Sequence, residues 1–114
     1  MLNLSIALER YRDCALLELH GELDRIGASL FCDRVCEQLQ GGVCRFIVDL
    51  RNLDFVDSQG IHALTTALRV AQERRGDMYL VLGNERIARI LSTAGLEGVF
   101  ASYDHRAAAL VALA

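Results

Sequence analysis

Five consecutive residues, Phe46-Ile47-Val48-Asp49-Leu50, constrain the fold of this chain more than any others. The run is apolar except at Asp49, so it offers no alternate face to water. A strand of that kind is covered on both sides, as at the centre of a largely parallel sheet with helices packed against it. The segments around it support that layout. Residues 2 to 8 alternate, with Leu2, Leu4, Ile6 and Leu8 on one face, the pattern of a half-buried strand. A polar turn over Arg10 to Asp13 leads to a second strand, Cys14 to His20, expected to lie antiparallel to the first and to end at Gly21.

Helical spacing follows. Ala28, Phe31, Val35 and Leu39 recur on one helix face, and Gly41-Gly42 stops that helix. After the central strand, Gln59 to Arg75 carries a buried stripe of Ile61, Leu64, Ala67, Leu68 and Ala71, terminated by Gly76. Met78 to Leu82 is a further apolar strand. Asn84 caps a helix from Glu85 to Ala94, ended by Gly95. A short apolar stretch, Val99 to Tyr103, and an alanine-rich helix, Arg106 to Leu113, complete the pattern. The alternation predicts an α/β fold with a mixed, largely parallel sheet of four or five strands and four helices. The chain has no proline, no Gly/Ser-rich linker and no internal repeat, and 114 residues suit one domain spanning 1–114, with an expected radius of gyration of about 13 Å.

Composition narrows the function classes. Hydrophobic residues make up 53% and charged residues 24%, enough to build a core. Twelve arginines face fifteen Asp and Glu, a formal net charge of −3, and there is no lysine. That balance argues against nucleic acid as a partner, which calls for a basic stripe. No apolar run reaches the ~20 residues of a membrane span, and Met1 to Asp13 does not read as a secretory leader, so a cytoplasmic, soluble protein is expected. Cys14, Cys32, Cys36 and Cys44 contain no C-x-x-C pair, and His20, His62 and His105 are scattered. Cys32 and Cys36 stand four apart, which could place two thiols on one helix face, but the four cysteines read as reduced, small buried hydrophobes, with at least one of Cys32 and Cys36 mostly buried. No metal and no cofactor are expected.

The segment most suggestive of chemistry is Asp54-Phe55-Val56-Asp57-Ser58-Gln59-Gly60-Ile61, between the central strand and the second helix. Parallel α/β sheets place their sites at this end of the strands. Asp57 or Ser58 can cap the helix by accepting from an unpaired N–H. Ser58 can equally be a modifiable hydroxyl, because a phosphate at a helix N-terminus meets free N–H donors and a favourable dipole. Catalysis is disfavoured. A nucleophile elbow requires glycine where Val56 stands, nothing places a histidine against Ser58, and no phosphate-binding P-loop is present.

Gly21-Glu22-Leu23-Asp24, Val48-Asp49-Leu50, Asp57-Ser58-Gln59-Gly60-Ile61 and Ala94-Gly95-Leu96 together resemble the STAS domain, and within it the bacterial anti-sigma factor antagonists, from about Leu4 to Ala112. The resemblance implies a partner-switching module rather than an enzyme. Its partners would be an anti-sigma factor that is also a serine kinase of the GHKL ATPase type, bound while the motif serine is unmodified, and a phosphatase that restores the binding form. Carried to this chain, Ser58 is the phosphoacceptor, Asp57 the acidic residue beside it, and Asp24 the acidic residue of the early loop near the partner. Gly60 matches the small residue that admits a partner close to the helix. Gln59 departs from the Ser, Thr or Ala frequent in the family, which bears on kinase or partner selectivity. Helical spacing sets His62, Thr65, Thr66 and Arg69 on the solvent face continuing from Ser58, which completes the expected docking surface. The alternative is an unphosphorylated STAS scaffold or accessory subunit of a signalling or transport complex. A homodimer is also open to such a chain, whereas membrane attachment is not expected.

Overall fold

A computed structural model describes residues 1–96 and 98–113. The elements run β1 (Leu4–Tyr11), β2 (Cys14–Leu23), α1 (Arg25–Gln40), β3 (Arg45–Asp49), β4 (Leu53–Val56), α2 (Ser58–Glu73), β5 (Asp77–Val81), α3 (Glu85–Thr93), β6 (Ser102–Tyr103) and α4 (Arg106–Leu113). They form one mixed sheet with the order β1-β2-β3-β5-β6, and β4 pairs with β2 beyond the end of β3. Among the described residues, only β1 is antiparallel to its neighbour, and every other pairing is parallel. The α/β class and the four helices agree with the sequence expectation.

The strand count is corrected to six among the described residues. Leu53–Val56 is a strand, β4, where the sequence reading placed only a connection. Its four residues include the charged Asp54, so it carries neither alternation nor an apolar run. A second correction concerns Gly21. It does not end β2. With φ at +106° it sits at a register irregularity between Gly21 and Glu22, and β2 continues to Leu23. Before this point β2 pairs with β3, and after it with β4. A third concerns the stripe on β1. Leu4 is buried and Ile6 half-buried, but Leu8 is exposed on this edge strand, and so is Leu2, which precedes it.

Alternation in the strands builds two separate apolar layers. Ala15, Leu17, Leu19, Phe46, Val48, Met78 and Leu80 face α1, α2 and α3, whose Phe31, Val35, Leu64, Leu68, Ile87 and Leu91 close the larger core. Cys14, Leu16, Ile47 and Val81 face the other way, where Ala109 and Leu113 of α4 cover them. The Cα radius of gyration is 12.6 Å, close to the sequence expectation. Among the described residues, no helix is long and apolar enough to cross a membrane.

Candidate functional site: two capped helix N-termini at one sheet edge

Leu23 at the end of β2 and Val56 at the end of β4 are register partners. The next residue in each case leaves the strand in extended geometry and caps a helix. Asp24 has φ −99° and ψ −167°, and Asp57 has φ −108° and ψ −173°. The Asp24 Oδ1 accepts from Gly27 N–H at 2.8 Å, and the Asp57 Oδ1 accepts from Gly60 N–H at 3.0 Å. Asp57 N–H donates to the Leu23 carbonyl at 3.3 Å, which ties the two junctions together. The N-termini of α1 and α2 therefore open side by side at the C-terminal edge of parallel strands, the edge where sheets of this kind place their sites. Asp57 is the cap, and Ser58 is the first helical residue, exposed to solvent.

Gly60 faces inward. A Cβ there would overlap the Leu23 carbonyl oxygen and come within 2.9 Å of both Leu23 Cγ and Val56 Cγ2. The close approach that needs glycine at this position is thus made by the chain's own β2 and β4.

The remaining site residues divide into two groups. Ser58 and Asp57 line an open cleft of about 390 Å³ between α2 and α3, with Ile61, Arg89, Ile90 and Thr93. Gln59, His62 and Thr66 line a second groove, between α1 and α2, with Arg25, Ser29 and Cys32. Ser58 and Gln59, consecutive at the start of α2, form the ridge that divides the two, Ser58 lining the first and Gln59 the second. His62 and Arg69 are exposed as expected, while Thr65 and Thr66 are half-buried rather than fully solvent-facing. The Thr65 hydroxyl turns back to donate to the carbonyls of Ile61 (3.2 Å) and His62 (3.0 Å), and Arg69 lies 3.9 Å from Glu73. Arg89 was not legible as part of the site, since only the packing of α3 against β4 brings it to the cleft that Ser58 lines.

A second polar constellation lies under the start of α4. The Asp49 side chain is fully buried, and it accepts from Arg51 N–H (3.1 Å), Arg51 Nε (3.0 Å), Arg51 Nη2 (2.8 Å) and Arg106 Nε (2.9 Å). Burial alone would raise the Asp49 pKa, but the guanidinium hydrogen bonds outweigh it and hold the carboxyl below its ordinary 3.8. Arg106 also pairs with Glu18 and lies 3.7 Å from Glu9. Asp49 thus breaks the apolar run of β3 for a tertiary reason.

The cysteine expectation is corrected in part. Cys32 is half-buried at the margin of the main core and Cys36 is exposed, so neither of the pair is mostly buried. Cys14 is the buried thiol, and burial pushes its pKa up to about 11.

A mixed, largely parallel sheet of this order, flanked by four helices and with paired βα caps at one edge, is a STAS-type α/β fold. The chain belongs to the STAS domain family, whose model matches residues 5–109. Over 113 residues it is 30% identical to an anti-sigma F factor antagonist of Paenibacillus polymyxa, covering 98% of this chain and 97% of that protein. Its fold is similar to that of a candidate anti-sigma factor antagonist of Thermotoga maritima, with a TM-score of 0.88 at 24% identity over 95% of this chain and 93% of that one. It is also similar to the phosphorylated form of the Bacillus cell-fate determinant SpoIIAA, with a TM-score of 0.75 at 20% identity over 96% and 100% of the two chains.

Proposed function

We propose that this chain is an anti-sigma factor antagonist, one STAS module over residues 1–114, switched by phosphorylation of Ser58. The observation that carries the reading is the exposed Ser58 hydroxyl at the first position of α2, beside Asp57 and one strand from Asp24. The 30% identical relative named as such an antagonist supports it. Unmodified, the ridge of Asp24, Asp57, Ser58 and Gln59, continued by His62, Thr65, Thr66 and Arg69, docks on an anti-sigma factor that is also a serine kinase of the GHKL ATPase type. Gly60 serves by letting the first turn of α2 sit against β2. Phosphate transferred to the Ser58 oxygen adds about −1.5 to −2 charges next to two carboxylates, and repulsion across the desolvated contact ends the complex. A serine phosphatase restores the binding form. The protein is a cytoplasmic regulator, and the chemistry belongs to its partners.

The test is calorimetry against the cognate anti-sigma factor together with a kinase assay using labelled ATP. Wild type and Ser58→Ala are expected to bind alike, and only wild type accepts label. Ser58→Glu is expected to bind more weakly by about 1–3 kcal/mol. Equal affinity of wild type and Ser58→Glu, with no label on wild type, overturns the reading.

A further inference from the structure

The two faces of the sheet are not covered alike. One carries three helices and the large core, whereas the other relies on α4, eight residues long, which buries only Ala109 and Leu113 and leaves Val111 78% exposed. A helix this short has no stability of its own in water and stays helical only while docked. Its apolar contacts form a cluster separate from the main core. What fixes its first residue is polar. Arg106 is held by carboxylates from three successive strands: Glu9 of β1, Glu18 of β2 and Asp49 of β3. Asp49 keeps its bonds to Arg51 whether or not Arg106 is present, so losing Arg106 does not strand a bare buried charge.

We propose that α4 is a strap, latched at Arg106, that undocks from the sheet as a unit while the α1–α2–α3 face stays folded. Undocking uncovers Leu16, Ile47 and Val81 and opens the thiol of Cys14, which lies in the same small cluster. Segments with few buried contacts open below the free energy of global unfolding, and their opening exposes little surface, so it depends weakly on denaturant. Cys14 therefore serves as a built-in reporter, read separately from the more accessible Cys32, Cys36 and Cys44.

The experiment alkylates the intact protein with N-ethylmaleimide at increasing urea and follows each cysteine by peptide mass spectrometry, with global unfolding measured by circular dichroism. Below the unfolding transition, Cys14 is expected to react at a rate that is nearly flat in urea and faster than global unfolding permits. Arg106→Gln is expected to raise that flat rate by about tenfold or more. Leu113→Ala, which thins the apolar contact at the other end of α4, raises it as well. Leu64→Ala, in the core of α2, lowers the global midpoint but leaves the flat rate unchanged, since Leu64 stays packed when α4 is off. A Cys14 rate that follows global unfolding at every urea concentration overturns the proposal. So does a flat rate indifferent to both α4 variants, or one accelerated by Leu64→Ala as much as by Arg106→Gln.

Discussion

Asp24 and Asp57 are structural twins: each follows a register-paired strand end, and each carboxylate accepts from the N–H of a glycine three residues on. The pairing gives both carboxylates a structural task independent of any partner. Asp57→Ala is expected to cost about 1 kcal/mol through the lost cap, and Asp24→Ala a similar amount. Asp57→Asn, which keeps an accepting oxygen, should cost less than half of that. Urea unfolding of the four proteins measures it.

Gly60→Ala is expected to destabilise by about 1–3 kcal/mol, because the added methyl meets a backbone carbonyl that cannot move aside. Thermal unfolding reads the loss. Gly42→Ala makes the contrast: a Cβ there has nothing within 4 Å, so its cost comes only from the positive φ of 93°.

A negative charge at position 58 should not harm the isolated domain. Ser58 opens α2, where an anion meets the positive end of the helix and gains about 0.3–1 kcal/mol, set against repulsion from Asp57. The melting temperature of Ser58→Glu is therefore expected to lie within ~2 °C of wild type. Weaker partner binding by this variant would then report on the interface and not on unfolding.

Asp49 gives the fold an acid-sensitive contribution. Its folded pKa is depressed below 3.8, so in acid the unfolded chain takes up this proton first. The stabilisation is complete above the unfolded value near 4 and is lost as the pH falls through the folded value. Asp49→Asn is expected to be less stable at neutral pH by about 1.5–3 kcal/mol and to show a shallower decline as the pH falls below about 4. Urea midpoints measured from neutral pH downward check both.

Patterns confined to one stretch of chain were legible in the sequence. The stripe of α2 and the Asn84 cap needed only neighbours a few residues apart, and Asn84 Oδ1 does accept from Arg86 and Ile87 N–H. The position of Ser58 at the start of a helix was legible for the same reason. What the sequence hid was long-range. Arg106 and Asp49 are 57 positions apart, and Arg106 and Glu18 are 88 apart, so no periodicity marks them. Likewise β4 exists as a strand only because the extension of β2 past Gly21 offers it an edge. Gly76 was read as a helix stop, yet the left-handed residue there is Arg75, and Gly76 is needed because a side chain would collide with Cys44.

The kink at Gly21 makes β2 a ruler. Two residues, Glu22 and Leu23, separate it from Asp24, and the same two pair with Phe55 and Val56 just ahead of Asp57. Inserting one residue in that interval would advance Asp24 past Asp57 by about 3.3 Å and turn its side chain to the opposite face. The two helices would then start at different heights, and the ridge that presents Ser58 would become a step. The spacing from residue 21 to residue 24 is accordingly a measured length, fixed from one end by a backbone angle and from the other by a hydrogen-bonded carboxylate.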